Sequence, residues 1–140
     1  MLKLLSKTGI VKGKQKVVFN YISDFRNFGN LLPSDRLRDI VLTGDTLRFG
    51  IDGLGTVGLK IAEKHPDNQL IIKAIEGTAA DFTFWINIAL APENTSRVDI
   101  ELQANLNMFL EMMAKEPLQK FVDLMVDKLQ TVEFENHKPA

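Results

Sequence analysis

No cysteine occurs among the 140 residues, so disulfides, thiolate catalysis and sulfur-ligated metals are excluded together, and a reducing compartment suits the chain. Histidine is almost as scarce. His65 sits in a proline-containing turn and His137 in a polar tail, with no second histidine or third ligand at metal-binding spacing. No metal and no cofactor is expected. Charge of one sign is also missing: 17 basic against 18 acidic side chains leave a net −1, so no overall field draws nucleic acid or an anionic membrane. Long apolar runs are lacking as well. The longest uncharged one, Phe82 to Ala91, is about half of the roughly 20 residues that a spanning helix needs. The opening Met1-Leu2-Lys3-Leu4-Leu5-Ser6-Lys7 is shorter than a signal-peptide core and is interrupted by Lys7. A cytoplasmic protein without stable membrane insertion is expected. Ser23, Ser34 and Ser96 fall in cap or turn contexts without a histidine partner, so no catalytic residue is nominated.

What is present is hydrophobic patterning. The length suits one domain, residues 1–140, with 135–140 as a polar tail. Residues 4–12, LLSKTGIVK, read as a strand closed by Gly13. From Lys14 the period changes: Val17 or Val18, Tyr21, Ile22 and Phe25 recur at helical spacing. Asp24 can cap a second short helix through FRNFGNLLP, broken at Gly29 and ended by Pro33. The period then becomes two. Strands are expected at LRDIVLT, TLRFGID, TVGLKIAEK, QLIIKAIE, DFTFWINIALA and SRVDIELQANLN, separated by Gly44-Asp45, Gly53 to Gly55, His65 to Asn68, Gly77 to Ala80 and Pro92 to Asn94. In the last strand Val98, Ile100, Leu102, Ala104 and Leu106 alternate with polar residues, the pattern of an antiparallel sheet covered on one side. A Met-rich stretch leads to Pro117, read as the first residue of a long helix whose face is Leu118, Phe121, Val122, Met125, Leu129 and Val132.

GLGTVG, Gly53 to Gly58, matches the dinucleotide fingerprint in letters. That fingerprint works only where a strand enters and a helix leaves, so that helix amides hold the pyrophosphate. Only Gly58 to His65 separates the last glycine from Pro66, and those positions alternate. A crossover helix has no room there. A hairpin turn is expected instead, with Gly58 marking a bulge or a close approach.

The derived class is α+β: one strand, two short helices, six antiparallel strands and a long C-terminal helix, the seven-stranded sheet curling around that helix. VVFNYISDFRNFGNLLP, residues 17–33, resembles the helix-turn-helix signature of the START-like, or SRPBCC, superfamily, which includes birch-pollen-type allergens, lipid-transfer domains and polyketide cyclase/dehydratase-like proteins. Residues 84–106 are similar to that superfamily's last hairpin, and EPLQKFVDLMVDKLQTV, residues 116–132, to its closing helix. The resemblance implies the helix-grip fold and a cavity between the curved sheet and the long helix that holds a small hydrophobic ligand, lipid-like or polycyclic. A cyclase/dehydratase-like enzyme and a co-chaperone-like interaction module are the alternatives it leaves open.

A curved sheet meets a straight helix poorly along part of its length, which leaves an apolar pocket. On that basis its lining is expected to be Phe49, Leu59, Ile72, Phe84, Ile86, Ile100, Leu118, Val122 and Met125. The same side chains could equally fill a closed core. Met108, Met112 and Met113, beside Phe109 and Leu110, are the candidate gate, because methionine adapts its shape. Lys73 faces inward if Ile71 and Ile75 are the buried side of their strand, and outward if Leu70, Ile72 and Ala74 are. Tyr21, the only tyrosine, is expected to pack the first helix with its hydroxyl at the rim. The lone Trp85 is a surface anchor or the cover of a homodimer contact.

Overall fold

The computed structural model describes residues 1–32, 37–52, 55–75 and 81–134. Pro33, Ser34, Gly53, the turn at 77–80, His137 and the tail at 135–140 lie outside the described residues. Eight antiparallel strands form one sheet: β1 Leu2–Leu5, β2 Gly9–Val11, β3 Arg38–Leu42, β4 Thr46–Ile51, β5 Gly55–His65, β6 Gln69–Ala74, β7 Asp81–Ala91 and β8 Thr95–Asn105. The order across the sheet is β1-β8-β7-β6-β5-β4-β3, with β2 also on β8. Helix α1, Gln15–Ile22, follows β2, a 3-10 helix spans Phe25–Asn30, and α2, Met108–Thr131, closes the chain.

The strand expected over 4–12 is split. Leu5 pairs with Glu101 and Gly9 with Val98, so the first strand takes four steps where β8 takes three, the count of a bulge. Ser6 carries the pairing across the gap. Its amide donates to the Ile100 carbonyl at 2.8 Å, and its buried hydroxyl oxygen accepts from the Ile100 amide at 2.8 Å. The two segments occupy one position in the sheet, so seven positions are filled, as the alternation predicts.

Ser23 ends α1, with both its amide (3.0 Å) and its hydroxyl (2.6 Å) donating to the Phe19 carbonyl. Asp24 caps the next element, accepting from the Arg26 amide at 3.0 Å. That element is a 3-10 helix, and Gly29 lies within it rather than breaking it. The Phe25 amide then donates to the Gly44 carbonyl at 3.0 Å, tying this corner to the β3–β4 turn.

Gly55 to Gly58 of the GLGTVG stretch open the second strand of a hairpin. β4 and β5 run antiparallel with Ile51 opposite Gly55, and no helix follows: the chain stays extended to His65. Gly55 has φ 110, a conformation that glycine adopts without strain. The bulge in β5 falls between Ile61 and Glu63, not at Gly58. On β6, Leu70 and Ile72 enter the core while Lys73 is exposed, which settles the buried side of that strand. Ile71 is buried on the outer face, opposite Trp85. β7 and β8 pair along their whole length, and Glu93 (φ 58) and Asn94 (φ 61) make the left-handed pair that a primed hairpin turn requires.

α2 begins nine residues before Pro117. Asn107 caps it, its side-chain oxygen accepting from the Leu110 amide at 2.9 Å, and Glu111 lies in the first turn. Pro117 is therefore inside the helix, where it cannot donate to the carbonyl of Met113. Val122, Met125, Val126 and Leu129 are buried in the core with Val98, Ile100 and Leu102.

A second row on α2 reaches the outer border of β1 and β2. Gln119 Nε2 donates to the Leu5 carbonyl (2.9 Å), Asp123 Oδ1 accepts from the Lys7 amide (2.7 Å) and Gln130 Oε1 accepts from the Ile10 amide (3.1 Å). A Cβ built on Gly9 would lie 2.5 Å from Cγ1 of Val126. Gly9→Ala is expected to push the helix off the strand and destabilise the fold by about 1–3 kcal/mol, whereas Gly29→Ala, whose nearest neighbour is Leu42 Cδ1 at 3.5 Å, should leave the melting temperature nearly unchanged. Ser6→Ala strands the buried Ile100 amide and should cost about 1–3 kcal/mol in urea unfolding. A Gly9→Ala protein that melts with the wild type would refute the close packing.

Candidate functional site

α2 turns different faces to different neighbours. Gln119, Asp123, Val126 and Gln130, spaced by four, three and four, face the β1–β2 border, and Val122, Met125 and Leu129 face the core. A further row, Leu110, Ala114, Pro117, Phe121 and Leu124, adjoins the core through Phe121 and is otherwise turned away from both. It looks across a cleft of about 590 Å³ towards Phe49 and Ile51 of β4 and Phe82 and Phe84 of β7, with Leu37, Leu106, Met113 and Leu118 also on the lining. Helix and sheet meet where Phe84 and Phe121 approach, their ring centroids 6.4 Å apart and their planes inclined by 59°. Phe82 leans on Phe84 at 6.2 Å. This volume lies within the roughly 300–1,000 Å³ typical of small-molecule sites.

The polar side chains on the lining stand at the rim, and each has a partner. Asp52, 85% exposed, pairs with Arg38 at 2.9 Å. Lys120 pairs with Glu116 at 3.2 Å. Asp127 pairs with the Lys7 ammonium, and Asp123 holds the Lys7 amide. The lining is an apolar trough whose charged side chains are each engaged by a residue outside it. Among the described residues no group of histidine, aspartate and glutamate could hold a metal. No described helix is long and apolar enough to cross a membrane.

Of the nine residues expected to line a cavity, the structure places Phe49, Phe84 and Leu118 on the cleft wall. Leu59, Ile72, Ile86, Ile100, Val122 and Met125 are packed together behind it in the core, none more than 4% exposed. Met113 of the candidate gate lines the mouth, while Met108 and Met112 point to solvent. Sequence reasoning missed Leu106, Leu110, Ala114, Pro117, Phe121 and Leu124 as wall residues. Their spacing by three and four was readable, but placing the helix start at Pro117 hid its first half. Trp85 is partly buried on the outer face, between Ile71 and Glu101 of the neighbouring strands.

Comparison of the coordinates with solved structures now has a fold to refer to. XoxI from Bacillus cereus aligns over 98% of this chain and 100% of its own, at 15% identity and a TM-score of 0.71. A START superfamily protein from Mycobacterium smegmatis aligns over 91% of this chain and 98% of its own, at 14% identity and 0.61. The chain has the START-like helix-grip fold. Norcoclaurine synthase from Thalictrum flavum, solved with dopamine and hydroxybenzaldehyde, shares this helix-grip architecture over 99% of this chain and 90% of its own, at 13% identity and 0.68. Neither a protein-family model nor a curated protein matches the sequence. At these identities the likeness concerns the fold.

Tyr21 lies away from the cleft. Its ring meets Phe134 edge-on at 5.1 Å, and its hydroxyl donates to the Asn27 carbonyl at 3.3 Å. Burial raises its pKa above 10.0 because the charged phenolate would lose water. The folded value thus exceeds the unfolded one, so the stabilisation is complete below the unfolded pKa and is lost as pH rises through the folded pKa. Near-ultraviolet titration of this sole tyrosine should show native ionisation at higher pH than in the denatured chain, and Tyr21→Phe should flatten the alkaline loss of stability. Coincident titration curves would contradict the burial.

Proposed function

We propose that the protein binds a small hydrophobic molecule, lipid-like or polycyclic, in the cleft between the first two-thirds of α2 and strands β4 and β7. The observation that carries this reading is an apolar trough of about 590 Å³ whose charged side chains are engaged by residues outside the lining. Affinity then comes from burial, at about 25 cal/mol per Å² of apolar surface, and selectivity from shape. That norcoclaurine synthase, of the same fold, was solved with two small aromatic molecules is consistent with such an occupant. Phe49, Phe84 and Leu118 touch the ligand, together with Phe121, Leu110 and Ala114. Leu59, Ile72, Ile86, Ile100, Val122 and Met125 form the packed floor that keeps the wall in place. Met113, at the mouth, is the gating side chain, and Met108 and Met112 extend the same surface outward. A cyclase/dehydratase-like activity would require an inward acid or base, so binding takes precedence over catalysis.

The test is to fill the trough from within. Ala114→Trp puts an indole where a methyl group stands, and should weaken binding of a polarity-sensitive anilinonaphthalene probe at least tenfold, about 1.4 kcal/mol, without lowering the melting temperature. Native mass spectrometry of freshly purified protein should in parallel reveal a co-purified apolar molecule that the variant lacks. Undiminished probe binding by a folded Ala114→Trp protein would overturn the assignment.

A further inference from the structure

Four large apolar side chains stand in solvent on the first two turns of α2: Met108 (79% exposed), Phe109 (70%), Met112 (80%) and Met113 (61%). Residues three and four apart are neighbours on a helix surface, so 108 with 112 and 109 with 113 make one continuous patch. Lys115 extends the row of Met108 and Met112. Lys3 lies at the start of β1, where Leu2 pairs with Ala104 just before β8 hands over to α2. Among the described residues neither lysine makes an ion pair, whereas the two acids of this stretch of helix are both engaged, Glu111 by the Met1 ammonium at 2.9 Å and Glu116 by Lys120 at 3.2 Å. The first turns of α2 thus present an apolar tip flanked by two lysines without an ion-pair partner.

We propose that the first two turns of α2 dock on an anionic lipid surface, Phe109 and Met112 entering the interface while Lys3 and Lys115 meet the phosphates. Area decides between a lipid surface and a second copy of the chain. Four such side chains expose on the order of 500 Å², less than the roughly 800 Å² per partner of a stable protein interface. A lipid surface, in contrast, accepts a few apolar side chains and rewards each nearby cation. The near-zero net charge is no obstacle, because attraction to a charged surface falls off within a Debye length, about 8 Å at physiological salt, and is set by local charge. Docking does not depend on what occupies the cleft.

Flotation of the full-length protein with vesicles of phosphatidylcholine, alone or mixed with phosphatidylglycerol, tests this. The wild type should float with the mixed vesicles and much less with the neutral ones. Lys3→Gln with Lys115→Gln should weaken mixed-vesicle binding about thirtyfold, from about 1 kcal/mol per lysine. Phe109→Ser with Met112→Ser, both at exposed positions, should abolish flotation while the circular-dichroism melt stays that of the wild type. Failure of the wild type to float, or equal flotation of the folded serine variant, overturns the proposal. So does self-association in sedimentation equilibrium that the serine pair removes while vesicles are ignored, which would give the patch to a second copy.

Discussion

The border of β1 and β2 would be a bare sheet edge, with unpaired amides and carbonyls, were it not covered by α2. Gln119, Asp123 and Gln130 give that edge three hydrogen bonds, to the Leu5 carbonyl and the Lys7 and Ile10 amides. Gly9 lets Val126 approach without a Cβ between them. The helix is thereby fixed along one margin of the sheet. Its adjoining face then packs into β8 and meets β7 at Phe84, and beyond that contact helix and sheet part, with β4 on the far side. The gap beyond that contact is the cleft. Covering an edge and leaving a trough are two results of one placement.

An open apolar trough would ordinarily collapse, because burying its walls against each other is favourable. Here the collapse is resisted at several points. Phe84 and Phe121 touch and hold helix and sheet apart like a strut. The side-chain bonds to β1 and β2 prevent α2 from sliding towards β4. Behind Phe84, Ile86, Ile100 and Val122 are already fully packed, so the floor cannot rise into the space. The cleft is the remainder after the core has been filled, which explains why its lining is mostly apolar although no single residue in it is chemically distinctive.

Period-two alternation made the sheet legible: Phe82, Phe84, Ile86 and Ile88, and opposite them Val98, Ile100, Leu102 and Ala104, all point inward. The hairpin reading of GLGTVG followed from the short run Gly58 to His65, too short for a crossover helix, and from its alternation. Two features were not legible. The split at Ser6 depends on a hydroxyl replacing a backbone partner, which no periodicity reports. The start of α2 was misread because proline is favoured in a first turn, and that local preference lost to the Asn107 cap and to the stripe running from Leu110 through Ala114 to Phe121. The site suffered from both the missed helix start and the ambiguity of apolar positions. Alternation tells which side of a strand is buried but not whether a buried side chain meets another side chain or empty space, so Phe84 and Ile86, alike in sequence, fall on the cleft and in the core.

Pro117 gives that misreading a physical meaning. Downstream of it, α2 is fastened by the Gln119, Asp123 and Gln130 bonds and by a buried row from Val122 to Leu129. Upstream, none of the residues 108–116 is buried, and the Met113 carbonyl lacks the intrahelical donor that any other residue at 117 would supply. Local stability follows the density of such bonds and contacts, so the weaker half of the helix is the half that carries Leu110, Met113 and Ala114 of the cleft wall. The same half carries Met108, Phe109 and Met112 on its outer surface. Displacing it would open the trough and break the Met1–Glu111 ion pair, while the Gln119, Asp123 and Gln130 bonds to the sheet edge lie beyond the proline. The segment that carries the exposed apolar side chains and the segment that encloses the upper part of the cleft are one and the same, and Pro117 marks where it meets the firmly anchored half of the helix.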